Sequence, residues 1–412
     1  MSFKIGILRE EKQPVDKRTP LVPKHCKELI SQFAELEIYI QPSTNRCFTN
    51  DEYEIAGVRV QENLLDCNII LGVKEVPIQY LIPGKRYMFF SHTIKKQAHN
   101  LKLIQTIMDM NIELIDYEAL VDENGIRLVA FGYWAGIVGA YNAIWMVQKR
   151  NYKRTLPRLY QGKDYETSRG ELKGLEFDKL KFIITGTGRV AGGAVKVMED
   201  AGIKRVNPED FLNMTFDHAV YTQLGSEHMF VPKFKHISYS RKEFHEKPLN
   251  YKSDFERYCA VGNVLINCIY WDAKAPKLFT LKEMKKSEFN IKMIADITCD
   301  IAPEASIPST IKATTIEQPI FGFLPLREKM VDPFTKNAID VMSIPNLPSE
   351  LPRDASTSFS QDLSEKIIPE FFKPQSDIIR RATVTKKGRL TDEYNYMESF
   401  VYDDVYRASK IR

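Results

Sequence analysis

In KFIITGTGRVAGGAVKVMEDAG, residues 181–202, an apolar strand pattern runs into a glycine-rich turn and leaves it as a helix pattern. The turn fits G-x-G-x-x-[G/A], the dinucleotide fingerprint, in its required strand-to-helix setting. Gly186 allows the tight turn, Gly188 lets the backbone approach a pyrophosphate, and Ala191 keeps the helix close to the strand. Thr187, Arg189 and Val190 complete the loop, and the helix N-terminus adds free N–H groups and positive dipole. A ligand-free glycine turn is the plainer alternative. The fingerprint also expects an acidic residue about 20 positions on to hold the ribose 2′-hydroxyl. The second strand should end near Val206-Asn207, so Asn207 falls at that position. Glu209 and Asp210 come slightly late and Lys204 and Arg205 just before, so the choice between NAD and NADP stays open.

Working outward, LKFIITG opens a series that continues through HMFVP, NVLINCIY (263–270) and MIADIT (293–298). An earlier series runs FKIGIL (3–8), HCKELISQFAEL (25–36), EIYIQ (37–41), CNIILGV (67–73), YMFFS (87–91), HNLKLIQTIMDM (99–110) and IELIDY (112–117). Strands alternating with helices argue for βαβ units, so the chain reads as α/β with two Rossmann-like domains and parallel sheets. Its 412 residues exceed what one core usually covers, which agrees. Gly132–Val147 (GYWAGIVGAYNAIWMV) reads as a buried helix, too short to span a bilayer. Residues 149–181 lack periodicity and read as a connection or surface insertion. Beyond Gly322 a Pro-rich stretch leads to a helix, SFSQDLSEKIIPEFF, and a charged tail.

Composition excludes several classes. The chain is 43% hydrophobic and 27% charged, ordinary for a protein that buries a core. With 58 Lys plus Arg against 54 Asp plus Glu, the formal charge of +4 forces no basic face, so neither nucleic acid nor a membrane is the expected partner. The 6 cysteines form no CxxC pair or metal-type cluster, so no metal site is expected and a reducing compartment is. The start, MSFKIGILREEK, is unlike a secretory signal, which points to the cytoplasm.

Polar residues at the ends of apolar strands are the candidates for chemistry, because open parallel sheets bind ligands there. Arg18, in DKRTPLVP, offers a planar fork suited to a carboxylate, or is a solvated loop residue. Lys74, in ILGVKEVP, leaves a fully apolar strand and is open to tuning by desolvation, unless it snorkels off the sheet. His92, in YMFFSHTIKKQ, ends the next strand, placed for acid–base work or for a structural bond to backbone. Asp296 and Asp300, in IADITCDIAPE, would approach the nicotinamide end of a dinucleotide, although capping explains Asp300 as well.

Together these residues resemble the superfamily of alanine dehydrogenase, the soluble part of nicotinamide nucleotide transhydrogenase and the lysine-forming saccharopine dehydrogenases, through KIGILRE, RTPLVP and GVKE. The closer likeness is to the lysine–2-oxoglutarate reductase domain of bifunctional lysine-degrading enzymes. It is carried by ITGTGRVAGGA, NVLINCIYWDAKAPKLFT, MIADITCDIAPEASI, IKATTIEQPIFGF and NLPSELPRDAS. The resemblance implies Lys74 and His92 as the acid–base pair, with Arg18, Glu75, Gln97, Glu118 and Arg127 lining the substrate site. It implies a discontinuous substrate domain, 1–132 with 323–412, around a contiguous cofactor domain, 133–322, which includes the connecting helix and the 149–181 insertion. It also implies interconversion of saccharopine with lysine and 2-oxoglutarate through an imine, using NAD or NADP, in a cleft between two lobes. Without a second enzyme domain, one of the two lysine-pathway steps is expected. The alternatives are an alanine dehydrogenase acting on pyruvate and ammonia, or a non-catalytic dinucleotide-binding subunit akin to the transhydrogenase component. Oligomeric state stays open.

Overall fold

The computed structural model describes residues 2–152, 156–234 and 236–402. Residues 153–155 of the expected insertion and 403–412 of the expected charged tail lie outside the described residues. The chain divides into two units, Met1–Phe131 with Pro352–Arg412, and Gly132–Leu351.

The first unit opens with β1 (Phe3–Ile7), α1 (Pro23–Gln32), β2 (Leu36–Ile40), β3 (Arg59–Val60), β4 (Ile69–Leu71), β5 (Arg86–Phe89), α2 (Leu101–Asp109) and β6 (Glu113–Asp116). β1 pairs in parallel with both β2 and β4, so the strand order reverses at β1. β5 and β6 extend the parallel array beyond β4. A crevice outside the carboxyl ends of strands at such a switch point is where open α/β sheets bind ligands.

The second unit begins with α3 (Gly132–Val147), buried from Gly136 onward. Its strands are β7 (Lys181–Thr185), β8 (Lys204–Arg205), β9 (Val220–Leu224), β10 (Phe230–Pro232), β11 (Tyr251–Ser253), β12 (Val264–Asn267), β13 (Met293–Asp296), β14 (Phe321–Leu324), β15 (Lys329–Val331) and β16 (Ile339–Met342). Helix α4 (Arg189–Asp200) follows β7. The main sheet runs β15-β14-β16-β13-β12-β7-β9-β8. Phe182 and Ile184 enter the core under α3 and α4, while Ile183 enters the core on the opposite face, as the two-residue pleat requires. Among the described residues no helix is long and apolar enough to cross a membrane.

The chain then returns to the first unit through α5 (Pro352–Lys366), β17 (Thr383–Lys386) and β18 (Arg389–Leu390), with β17 antiparallel to β6. Ser356 accepts the Thr19 N–H at 3.0 Å and Ser360 accepts the Val22 N–H at 2.9 Å, so α5 braces the loop that follows β1.

Four expectations are corrected. The return comes at 351/352 rather than 322/323, because Ile339–Met342 is a fully buried strand paired with β13 and holds β14 beside it. HMFVP supplies β10, which pairs with β11 in a separate two-stranded sheet. The strand beside β7 is β9, and the two-residue β8 that precedes Val206-Asn207 lies at the sheet edge. The 149–181 segment is no surface insertion throughout: Leu156, Leu159, Tyr165, Leu172 and Phe177 belong to the core with α3.

Candidate active site

The loops after β1, β4, β5 and β6 in the first unit carry the charged residues. Lys74 lies three residues past β4 and is half-buried. Burial, helped by the Arg18 charge, brings its amine down to about 8 against the pull of Asp16 and Glu75. Among the described residues its Nζ has no hydrogen-bond or ion-pair partner. The amine is thus tuned toward neutral pH without being tied to a carboxylate.

Glu75 joins Lys74 to the next strand. Its Oε1 lies 2.7 Å from His92 Nδ1 and its Oε2 accepts from Lys12 Nζ at 2.5 Å. Burial opposes its ionisation, yet the hydrogen bond and charge of His92 and Lys12 bring it to about 2. An ionised carboxylate only accepts, so His92 Nδ1 carries the proton and Nε2 is the nitrogen left for proton transfer. His92 sits in the left-handed region at φ 53°, and Asn100 Nδ2 holds its carbonyl at 3.3 Å. That turn is unusual for a residue with a side chain and reads as a constraint imposed by its surroundings.

Arg18 differs from the open fork of the sequence reading. It is buried, and its Nε and Nη2 donate to the two oxygens of Asp16 at 2.9 and 2.6 Å. Its guanidinium also stacks 4.2 Å from the Phe131 ring centroid. Burial works against the Asp16 charge, but Arg18 holds that carboxyl well below the usual range. Two edges of the fork expected for a substrate, Nε and Nη2, are thus taken by an internal partner.

Glu118, after β6, is buried and receives Lys95 Nζ at 3.0 Å and Arg127 Nη2 at 3.2 Å. Burial opposes ionisation there too, but the two cations keep its pKa lowered. Gln97 is exposed, and among the described residues its side chain makes no hydrogen bond. Asp116, fully buried at the end of β6, accepts from Ser91 N–H at 3.2 Å and from the Ser91 hydroxyl. Burial pushes it up to about 6. Glu10, Lys12, Asp16 and Lys95 were missed in the sequence. The strand-end argument that selected Arg18 applies equally to the first three, but only the fold shows which partners they take.

In the second unit, Gly186 has φ +90°, and a Cβ there would sit 2.9 Å from Cys268 O, so the turn needs glycine twice over. A Cβ at Gly188 would meet nothing within 4 Å, which leaves its backbone open to a phosphate. Thr187, Gly188 and Arg189 are exposed, Val190 is half-buried and Ala191 is buried. The turn therefore fits a dinucleotide pyrophosphate at the N-terminus of α4. Close approach of the two helices depends on other glycines. A Cβ at Gly193 would lie 2.0 Å from Tyr133 O, and one at Gly136 1.8 Å from Val190 O.

Asn207 caps the short helix Pro208–Asn213, accepting the Asp210 N–H at 2.8 Å, one strand removed from the neighbour of β7. Asp296 is fully buried. Its Oδ1 accepts from Asn267 Nδ2 at 2.9 Å and Thr298 Oγ1 at 2.8 Å, and its Oδ2 from Thr310 Oγ1 at 2.6 Å. It organises the segment after β13 and has no surface to offer a nucleotide. Asp300 is half-buried, its N–H 3.4 Å from Thr298 Oγ1.

Residues 6–138 match the family model for the alanine dehydrogenase/PNT N-terminal domain, the span that holds Lys74, Glu75 and His92. Over 96% of its length the chain is 32% identical to alpha-aminoadipic semialdehyde synthase, mitochondrial, of Mus musculus, and covers 47% of that protein. It is 28% identical to the saccharopine dehydrogenase (NAD(+), L-lysine-forming) of Neurospora crassa, over 88% of this chain and 90% of that protein. The chain is thus similar over most of its length to lysine-forming saccharopine dehydrogenases. It spans about half the length of the mouse relative. Its fold matches a solved L-alanine dehydrogenase with TM-score 0.65 at 14% identity, covering 97% of this chain and 99% of that one.

Proposed function

We propose that the chain interconverts saccharopine, with water and an oxidised nicotinamide dinucleotide, and lysine plus 2-oxoglutarate, the reduced dinucleotide and a proton. The observation that carries the reading is the half-buried Lys74 amine brought down to about 8 beside the Glu75–His92 pair. When bound, the nicotinamide supplies the hydride chemistry. Lys74 takes the proton of the secondary amine as that nitrogen becomes an imine. His92, through Nε2, takes a proton from the water that adds to the imine carbon, Glu75 stabilising the imidazolium, while Lys74 returns its proton to the nitrogen. The carbinolamine then opens, its hydroxyl proton passing to Lys74, its C–N bond breaking and the leaving ε-amine of lysine taking the proton from His92. In the reductive direction the same groups give their protons back. Lys12 and Lys95 add positive charge near a substrate with several carboxylates, and Arg18 acts by holding its loop through Asp16.

NAD is the cofactor we assign. The position beside the glycine strand belongs to β9, whose Leu224 pairs with Thr185 in register. The segment 204–213, holding β8 and a short helix, delays this strand, so the acidic residue near its end is Glu227. A carboxylate there accepts the ribose 2′-hydroxyl and repels a 2′-phosphate. The name of the Neurospora relative, which specifies NAD(+), agrees.

The test is absorbance of NADH and NADPH with lysine plus 2-oxoglutarate, and separately with pyruvate plus ammonia. Lysine-dependent oxidation of NADH is expected. Turnover with pyruvate and ammonia alone would assign an alanine dehydrogenase, and tight nucleotide binding without turnover a binding subunit.

A further inference from the structure

Glu10 is a half-buried carboxylate whose oxygens go to peptide groups. Its Oε1 accepts the Val73 N–H at 2.6 Å and its Oε2 the Lys74 N–H at 3.0 Å. Among the described residues no lysine, arginine or histidine forms an ion pair with it. The backbone ladder between the two strands ends just before this point, with the Leu8 N–H on Leu71 O at 2.9 Å. From the other side, the Phe90 N–H holds Val73 O at 3.1 Å. An extended segment that has left its sheet on one side is thus clamped on both peptide groups flanking Val73, at the residue that carries the proposed base.

We propose that Glu10 is a positioning residue that holds the Lys74 backbone so that the amine stays in its half-buried setting. The proposal rests on the reading of Lys74 as the acid–base group. Burial and the Asp16 charge push the Glu10 carboxyl up to about 7, so this clamp is kept at a cost in solvation that an ordinary loop contact does not carry. Nothing else among the described residues bonds both N–H groups. Without the carboxylate, two donors in a part-buried turn lose their acceptors, and the turn relaxes toward water.

The experiment is Glu10→Gln in the full chain. The side chain keeps its size, but its amide NH₂ faces one of the two peptide N–H groups, donor against donor. The first readout needs no substrate: the pH dependence of Lys74 labelling by an amine-reactive reagent, followed by mass spectrometry. The labelling midpoint is expected near 8 in the parent and higher in E10Q, with Glu10→Asp between them. The second readout is turnover, where E10Q should lower kcat by about 10-fold with KM and NADH binding little changed, a misplacement effect. In a Lys74→Met background the same substitution should cost nothing further. Unchanged labelling in E10Q, or losses from E10Q and K74M that multiply, would overturn the proposal. Thermal unfolding run in parallel separates a misfolded variant, and E10D then serves as the test of the carboxylate. A substrate assignment that failed would leave the labelling result standing.

Discussion

Lys74→Arg and Lys74→Met put the proposed mechanism at most risk, because burial leaves the wild-type amine in a state that neither replacement reproduces. At pH 7.5 an amine titrating at about 8 is roughly one quarter neutral, against about 0.1% for lysine at its ordinary ~10.4. The site thus raises the supply of free base about 200-fold at that pH. In saccharopine oxidation Lys74 must start neutral, so kcat/KM should rise about tenfold per pH unit below 8 and level off above it. In the reductive direction it must start protonated, and activity should fall as pH rises past about 8. Arginine keeps the length and charge but stays protonated, and methionine keeps the apolar stem alone. Both should lower kcat by about 10²-fold and lose the limb near 8, while NADH binding, followed by fluorescence, stays at the parent value. Stopped-flow absorbance at 340 nm would read it, about the wavelength at which reduced nicotinamide absorbs. A K74R protein that turned over at the parent rate, or a K74M protein that kept the same limb, would refute the reasoning.

Three further outcomes follow. Glu75→Gln should slow turnover by about 10-fold or more, and because the Glu75 charge supports the Lys74 ammonium, the limb should move below about 8; a limb that stayed or rose would contradict the pairing. Arg18→Ala should cost about 3–5 kcal/mol in thermal or urea unfolding, since it strands a buried Asp16, and Arg18→Met with Asp16→Leu should recover most of it; a stable R18A with only a raised KM for 2-oxoglutarate would make Arg18 a substrate ligand after all. Since Asp16 is held well below its ordinary range, the pair's contribution is present above the unfolded carboxylate's pKa and is lost as pH falls through the folded one. Glu227→Ala should shift the ratio of NADH to NADPH affinity toward NADPH by on the order of 10-fold in fluorescence titration, the loss of one charge-assisted hydrogen bond; an unchanged ratio would remove Glu227 from the ribose.

What the sequence discloses here is what depends on neighbours in the chain. The glycine turn is legible because strand, turn and helix follow one another within 181–202, and Lys74 and His92 are legible because each ends an apolar run. Strand order is not local. The pairing of Thr185 with Leu224 skips β8 entirely, so counting about 20 residues from the glycines reaches the edge strand and the Asn207 cap rather than the end of β9. The return to the first unit is hidden for the same reason, since Ile339–Met342 reveals its place only through β13. Within the site, Arg18 and Asp296 have the residue type and position of ligand-binding groups, yet Asp16 engages the one, and Asn267, Thr298 and Thr310 the other. A polar side chain at a strand end has two uses, to hold the fold or to meet a ligand, and its remaining hydrogen-bonding capacity separates them. Asp296 has closed on internal partners, and Arg18 gives its Nε and Nη2 to Asp16. Lys74 Nζ and His92 Nε2, which among the described residues have none, retain theirs, while Glu10 takes the Lys74 backbone N–H and Glu75 the His92 Nδ1.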